Sequence, residues 1–187
     1  MSTSKKKGWQ TLRQEAGPGL RLFRVRYDDM RNPRNGQISR MVILEAADSV
    51  NVVPVTKDED ILFVRQYRFG IGDYTLELPG GIVDPGEEHR WAAERELREE
   101  SGYTGGEWAY LGKIASNPVF MNNYIHHWEA RGVELTAAQQ LDEGEEVEVV
   151  PLSVEEARQR LLAGEFQHPH TVNALMLFFY KHQKTWP

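Results

Sequence analysis

Cysteine is absent from all 187 residues, which removes disulfide frameworks, thiolate zinc sites and cysteine nucleophiles together. Long apolar runs are missing too. The run ALMLFFY at residues 174–180 is far shorter than the roughly 20 residues of a membrane-spanning helix. The opening MSTSKKKG has the positive charge of a secretory signal, but the stretch GWQTLRQEAG that follows it is mostly polar and supplies no apolar core. Basic residues are outnumbered: 22 Lys and Arg face 28 Asp and Glu, a formal net charge of -6. That balance argues against a grip on nucleic acid, which wants a basic face, so an anionic substrate needs a local cation. The chain reads as soluble and cytoplasmic, with neither nucleic acid nor membrane as a partner.

With 40% hydrophobic residues, the chain is long enough for one compact domain with a core, plus a small extension. Residues 1–8 are polar, basic and aperiodic, as a disordered leader is. Strands are expected at 20–27 and 38–44, joined across Asn35-Gly36, a hairpin turn signal. Three more follow at 50–55, 61–67 and 74–78. From 87 to 101 the content is helical, with Ala92, Ala93 and Leu97 among good helix formers. Strands return at 109–115, 124–130 and 146–150. Two helices finish the chain. The first starts at a Ser153 cap, with Glu156 completing a capping box, and stops at Gly164; the second covers about 171–182. Strands, one inserted helix, more strands and terminal helices make the class α+β rather than alternating βαβ. Residues 1–44 form a leader and β extension, and 45–187 the main domain.

Glu96, Glu99 and Glu100 stand at i, i+3 and i+4, within an arc of about 100° on one helix face. Such a cluster is ordinarily a solvated surface. Here the loop LPGGIVDPGE precedes it, in which Gly80 and Gly81 permit close backbone approach and Pro85-Gly86 shapes a turn. That loop can aim a carbonyl at the same volume. A hard divalent cation wants oxygen ligands, and Mg²⁺ combines a few carboxylates with water and phosphate oxygens. It would relieve the repulsion and bind phosphate.

Gly81, five residues, Glu87, seven residues, then Arg95-Glu96-Leu97-Arg98-Glu99-Glu100-Ser101-Gly102-Tyr103 resembles the Nudix hydrolase box at every fixed position. Only Tyr103 is unusual, where an aliphatic is commoner. The resemblance implies a Nudix α/β/α sandwich with a mixed sheet, preceded by the N-terminal β extension. It implies metal ligation by Glu96, Glu99 and Glu100 with the Gly80 carbonyl, and Mg²⁺ as the ion, with Mn²⁺ as a substitute. Glu96 and Glu100 are then catalytic as well, while Glu87 and Arg95 brace the loop, with Gly81 and Gly102 as the fixed glycines. The chemistry implied is hydrolysis of a nucleoside diphosphate linked to a further moiety.

The flanks narrow that moiety. Val64-Arg65-Gln66-Tyr67-Arg68 and Leu76-Glu77-Leu78-Pro79-Gly80-Gly81 resemble the ADP-ribose and nucleoside diphosphate sugar pyrophosphatase branch, as does Pro118 beyond the box. In LDEGEEVEV at 141–149 the resemblance selects Glu145 as general base, with Glu143 and Glu146 as competitors. Arg68, Pro118, Asn122, Asn123 and His126 are the candidate substrate contacts, and Trp9 is a candidate to stack on the base. A homodimer through the N-terminal region is implied too. The alternatives are hydrolysis of another nucleotide, such as a dinucleoside polyphosphate, and a non-catalytic Nudix-like regulator that binds nucleotides.

Overall fold

A computed structural model describes residues 8–141, 143–144 and 146–182. The chain divides into two compact units, one of Met1–Ala46 with Ala115–Asn123, the other of Ala47–Ile114 with Tyr124–Pro187.

The first unit holds β1 (Gln10–Gly19), β2 (Arg24–Arg31) and β3 (Ile38–Glu45), antiparallel in that order. Its first strand is absent from the sequence-based expectation, since Leu12 is the one large apolar residue in QTLRQEAGPG. Edge pairing and charge hold it instead: Arg40 meets Glu15 at 3.1 Å, and a side chain on Gly17 would strike the Tyr27 ring. Residues 20–23, expected to open a strand, lie between β1 and β2, and Leu20 and Leu22 are exposed. The Asn35-Gly36 turn forms within a wider loop. Asn32 N donates to Gln37 O at 2.9 Å, and Gly36 takes φ 74. Segment 115–123 docks on β3, with Leu44 N donating to Phe120 O at 2.7 Å.

The second unit is a mixed sheet between two helical layers. Its strands are β4 (Ser49–Thr56), β5 (Asp60–Arg68), β6 (Asp73–Glu77), β7 (Tyr103–Ala115), β8 (Tyr124–Leu135) and β9 (Val147–Ser153). They run in the order β6-β5-β4-β8-β7, with β9 pairing β5. The β4–β8 pair is parallel and the β5 pairs are antiparallel. The β4–β5 ladder consists of Val55↔Ile61 alone. Beyond that rung residues 79–83 pair with β4: Val50 N donates to Gly81 O and Val52 N to Pro79 O, both at 2.9 Å.

Both sheet faces are covered, which is why VNVVPV in β4 is buried throughout, as central strands between two helical layers are. Val50, Val52 and Leu62 pack with Ala92, Ala93 and Leu97 of α1 (His89–Ser101). Val53, Val55, Ile61 and Phe63 pack with Ala157 and Leu161 of α2 (Val154–Leu162) and with Ala174, Leu175 and Phe178 of α3 (Pro169–Lys181). Alternation along β5 thus sends Leu62 to one layer and its neighbours to the other. The architecture is the expected α+β sandwich. Truncating Leu97, fully buried, would cost about 2–5 kcal/mol.

Helix limits follow capping chemistry. The helix α1 begins two residues later than expected because Glu87 closes a turn, its N–H donating to Asp84 O at 2.9 Å. It stops at Gly102, whose φ of 76 suits a left-handed cap. For α2 the capping box is half made. Ser153 Oγ accepts from Glu156 N at 3.1 Å, while the Glu156 carboxylate turns to Arg160. Pro169 occupies the first turn of α3, where its missing N–H is harmless. Among the described residues no helix is long and apolar enough to cross a membrane.

Candidate active site

The three clustered glutamates lie along one side of α1, where the loop at 79–83 returns from the sheet. Arg95 organises them. Its Nε and Nη2 donate to the two oxygens of Glu87 at 3.1 and 3.0 Å, and Nη2 also donates to Ile82 O at 3.0 Å. Its Nη1 donates to Glu96 Oε1 at 2.7 Å and to Glu99 Oε2 at 3.2 Å. One planar fork therefore joins three carboxylates and the loop backbone, a task suited to guanidinium geometry. The hydrogen bonds from Arg95 hold the Glu87 carboxyl below its ordinary range, and Glu87 in turn raises the Arg95 pKa, so this cation is permanent.

Glu100 is treated differently. It is 6% exposed, and its Oε2 accepts from Gly80 N at 2.9 Å. Gln66 Nε2 lies 3.4 Å from Oε1, a long bond by ordinary geometry. Gln139 Nε2 donates to the Glu100 backbone carbonyl at 2.6 Å. The glycines of the loop are there for space: a Cβ on Gly80 would overlap Val50 O, and one on Gly81 would overlap the Glu96 carboxylate.

Among the described residues no three His, Asp or Glu side chains already surround one point as a metal cluster does. The cation among Glu87, Glu96 and Glu99 is the Arg95 guanidinium. The donor set still fits a hard divalent ion. It consists of carboxylate oxygens on one helix face, and the bare Gly81 gives the Glu96 carboxylate the space it occupies against the loop.

The remaining candidates are spread more widely. Arg68 Nε and Nη2 both meet Glu77, each at 2.6 Å, so its fork is engaged within the fold. Burial opposes the charge of Glu77, 1% exposed, but the hydrogen bonds from Arg68 and Thr75 keep its pKa below the usual value. His168 Nδ1 lies 3.0 Å from Glu77 Oε2. Burial lowers the His168 pKa to about 4, so near neutrality the ring is neutral and this contact is not an ion pair. His126 is engaged as well. Nδ1 meets Tyr110 Oη at 2.9 Å, Nε2 meets Asp48 Oδ2 at 3.1 Å, and the ring stacks on His89 at 4.0 Å.

Trp9, Pro118, Asn122 and Asn123 belong to the first unit. Trp9 is 49% exposed, Pro118 sits in an exposed turn and Asn123 is buried. Asn122 Oδ1 accepts from Ala46 N at 3.2 Å. Glu145 lies outside the described residues. Glu143 is exposed in a turn, and Glu146 Oε2 accepts from Tyr74 Oη at 3.2 Å. That neighbouring charge raises the Tyr74 pKa. Sequence reasoning missed Gln66, Glu77, Asp48 and Gln139 as parts of these networks. Thr75 and Glu77, buried polar residues on one face of a short strand, carried the only local signal, since they alternate with Leu76 and Leu78.

Residues 46–175 match the family described as NUDIX domain, and the chain belongs to the Nudix family. Among curated proteins, it is 32% identical over 167 residues to the methanol dehydrogenase activator of Bacillus methanolicus, covering 89% of this chain and 90% of that one. It is 31% identical over 142 residues to the ADP-ribose pyrophosphatase of Bacillus subtilis (strain 168), covering 75% of this chain and 77% of the relative. An ADP-ribose pyrophosphatase of Mycobacterium tuberculosis is 30% identical over 159 residues, 84% and 76% of the two chains. A crystal structure of an ADP compounds hydrolase superposes with a TM-score of 0.82 at 24% identity, covering 98% of this chain and 100% of that one. This last likeness is one of fold. The family read from the box is thus the family found, and Nudix hydrolases generally use a divalent metal.

Proposed function

We propose that this chain hydrolyses nucleoside diphosphate sugars of the ADP-ribose, ADP-sugar or GDP-mannose type, giving a nucleoside monophosphate and a sugar phosphate, with Mg²⁺ as its ion and Mn²⁺ as a substitute. One observation carries the reading: in a Nudix chain with ADP-ribose pyrophosphatase relatives, an intact box folds so that Arg95 gathers Glu87, Glu96 and Glu99 beside the glycine loop.

Glu96, Glu99 and Glu100 are the side chains that would hold the ion, with the Gly80 carbonyl. Bound there, it would offset diphosphate charge and polarise phosphorus. The chain's own work is positional and protolytic. Arg95 keeps its carboxylates converged against their mutual repulsion. Water forms a new bond to one phosphorus while the bridging P–O bond breaks, the bridging oxygen leaving on the other phosphate. A carboxylate within hydrogen-bond reach takes the water's proton. Glu145 is assigned that role, ahead of Glu143 and Glu146. Trp9 is assigned to the base, and Pro118, Asn122 and Asn123 to the sugar and phosphates. For Arg68 and His126 a substrate role requires them to share or surrender the bonds described above.

A cytoplasmic homodimer formed through the N-terminal unit completes the reading. Support comes from Ile38 and Val42, at 54% and 51% exposure, on one face of β3. Light scattering that reports a monomer at assay concentrations would remove that part. The activity is tested with ADP-ribose, ADP-glucose, GDP-mannose, UDP-glucose and diadenosine polyphosphates, each with Mg²⁺ and with chromatographic identification of products. Chelator-sensitive release of nucleoside monophosphate from a nucleotide sugar is expected. Turnover confined to dinucleoside polyphosphates, or binding without turnover, would overturn it.

A further inference from the structure

The last carbonyls of any helix lack intrahelical partners. In α1 one downstream segment supplies them. Gln140 N donates to Glu99 O at 2.8 Å, and Thr136 N and Ala137 N both donate to Gly102 O at 3.1 Å. Gln139 adds a side-chain bond from Nε2 to Glu100 O at 2.6 Å. The same nitrogen also donates to Val147 O at 3.2 Å, at the first residue of β9. A carboxamide nitrogen has two hydrogens, and here each has its own carbonyl.

A second glutamine closes the ring. Val147 stands opposite Gln66 in the β5–β9 ladder, and Gln66 is the residue whose amide approaches the Glu100 carboxylate. Gly80 N takes the other carboxylate oxygen. Glu100 is therefore held at its backbone by Gln139 and at its side chain by Gln66 and Gly80, while the two glutamines are joined through one rung of the sheet. Its position explains the need. Glu96 lies in mid-helix, where the ladder of i→i−4 bonds fixes the backbone, but Glu100 is the penultimate residue of α1, where helices fray.

We propose that Gln139 is a positioning residue for Glu100: its two donated hydrogen bonds lock the last turn of α1 to the start of β9 and so set the aim of the Glu100 carboxylate. The inference rests on the reading of Glu100 as a site ligand. Gln139 is itself exposed, so it contributes through its bonds and not through burial. Losing them shifts a turn by a fraction of an ångström. That matters little to the fold and much to a carboxylate that must meet an ion.

Two uncharged variants separate donation from packing. Gln139→Met keeps the length and bulk and loses both donors; Gln139→Asn keeps the donors and loses reach, so it satisfies one carbonyl at most. If donation matters, Gln139→Met lowers kcat about 5- to 30-fold, as expected for two lost hydrogen bonds, with KM for ADP-ribose within about twofold. Gln139→Asn falls between it and wild type. Mn²⁺ binding to the substrate-free protein, followed by electron paramagnetic resonance, weakens in the same order, and melting temperatures stay within about 3 °C of wild type. The reverse order, with Gln139→Met silent and Gln139→Asn impaired, identifies a packing role and overturns the proposal. So does a loss of kcat that tracks melting temperature. The Mn²⁺ titration keeps this test apart from the substrate assignment. Should the wild type turn over no nucleotide sugar, weaker Mn²⁺ binding by Gln139→Met still supports the clamp, and unchanged binding in both variants overturns it.

Discussion

Adding one methyl group at Gly80 or at Gly81 should produce opposite phenotypes. Gly80 carries no left-handed φ; its constraint is proximity. A Cβ there would overlap the Val50 carbonyl and stand 2.7 Å from Asn51 Cα, atoms of a buried central strand that has nowhere to go. The loop must move instead. Its seating depends on the Val50 N to Gly81 O and Val52 N to Pro79 O bonds, each 2.9 Å, and on the Gly80 N to Glu100 bond, also 2.9 Å. At about 1 kcal/mol for each backbone pair and about 1.5 kcal/mol for the charged one, Gly80→Ala should cost roughly 3–4 kcal/mol. For a protein of this size that lowers the melting temperature by about 6–15 °C. In Gly81→Ala the new Cβ meets the Glu96 carboxylate, side-chain atoms rather than backbone, which can give way by loosening the 2.7 Å bond from Arg95. Its melting temperature should shift by less than about 3 °C, while kcat falls on the order of 100-fold because Glu96 is pushed from its place. Circular dichroism melts beside steady-state hydrolysis of ADP-ribose would show both effects. A Gly80→Ala protein that melts within about 2 °C of wild type, or a Gly81→Ala protein that is the less stable of the two, would refute the reasoning.

Replacing Glu96, Glu99 or Glu100 singly by Gln should lower kcat by orders of magnitude at unchanged fold; a triple variant with wild-type, chelator-sensitive activity would sink the metal assignment. Glu145→Gln should lower kcat about 10²- to 10⁴-fold with a much smaller change in KM, and Glu143→Gln and Glu146→Gln should be milder. Full activity in all three would move the base elsewhere. Acid should weaken the fold through two histidines. Burial lowers His127 and His168 to about 4, whereas the unfolded chain protonates them near 6.5. Their contribution is therefore complete above about pH 6.5 and is lost as pH falls toward 4, at up to about 1.4 kcal/mol per pH unit for each. Urea unfolding at pH 7, 6 and 5 should show the decline, and His127→Gln should remove one histidine's share of the slope; an unchanged slope would contradict it.

The box was legible because its information is one-dimensional: fixed spacing on one helix brings Glu96, Glu99 and Glu100 to one side, and Glu87 to within reach of Arg95. The sandwich was legible for a related reason, since the apolar runs of β4 and β5 are buried on both faces. Strand β1 was not, because charge pairs and edge hydrogen bonds hold a polar segment that no apolar alternation marks. Leu20 and Leu22 misled for the converse reason: apolar content suggested a strand, and both residues are exposed outside one. The fold partners of Arg68 and His126 were not legible either, because they come from other elements. Glu77 reaches Arg68 across the β5–β6 pair, and Asp48 reaches His126 from 78 positions away. Gln139 carries no local sign of its part, because both carbonyls that it bonds belong to other elements.

Because residues 79–83 fill the place beside β4 that β5 vacates after Val55↔Ile61, two amide protons become reporters of site assembly. Val50 N–H and Val52 N–H owe their protection to Gly81 O and Pro79 O, whereas the other edge of β4 is guarded by β8. In solvent deuterium these two amides should exchange whenever the loop lifts, even while the surrounding sheet stays intact. Their exchange rates would then register the seating of the glycine loop in the resting protein, with no substrate present and no turnover required.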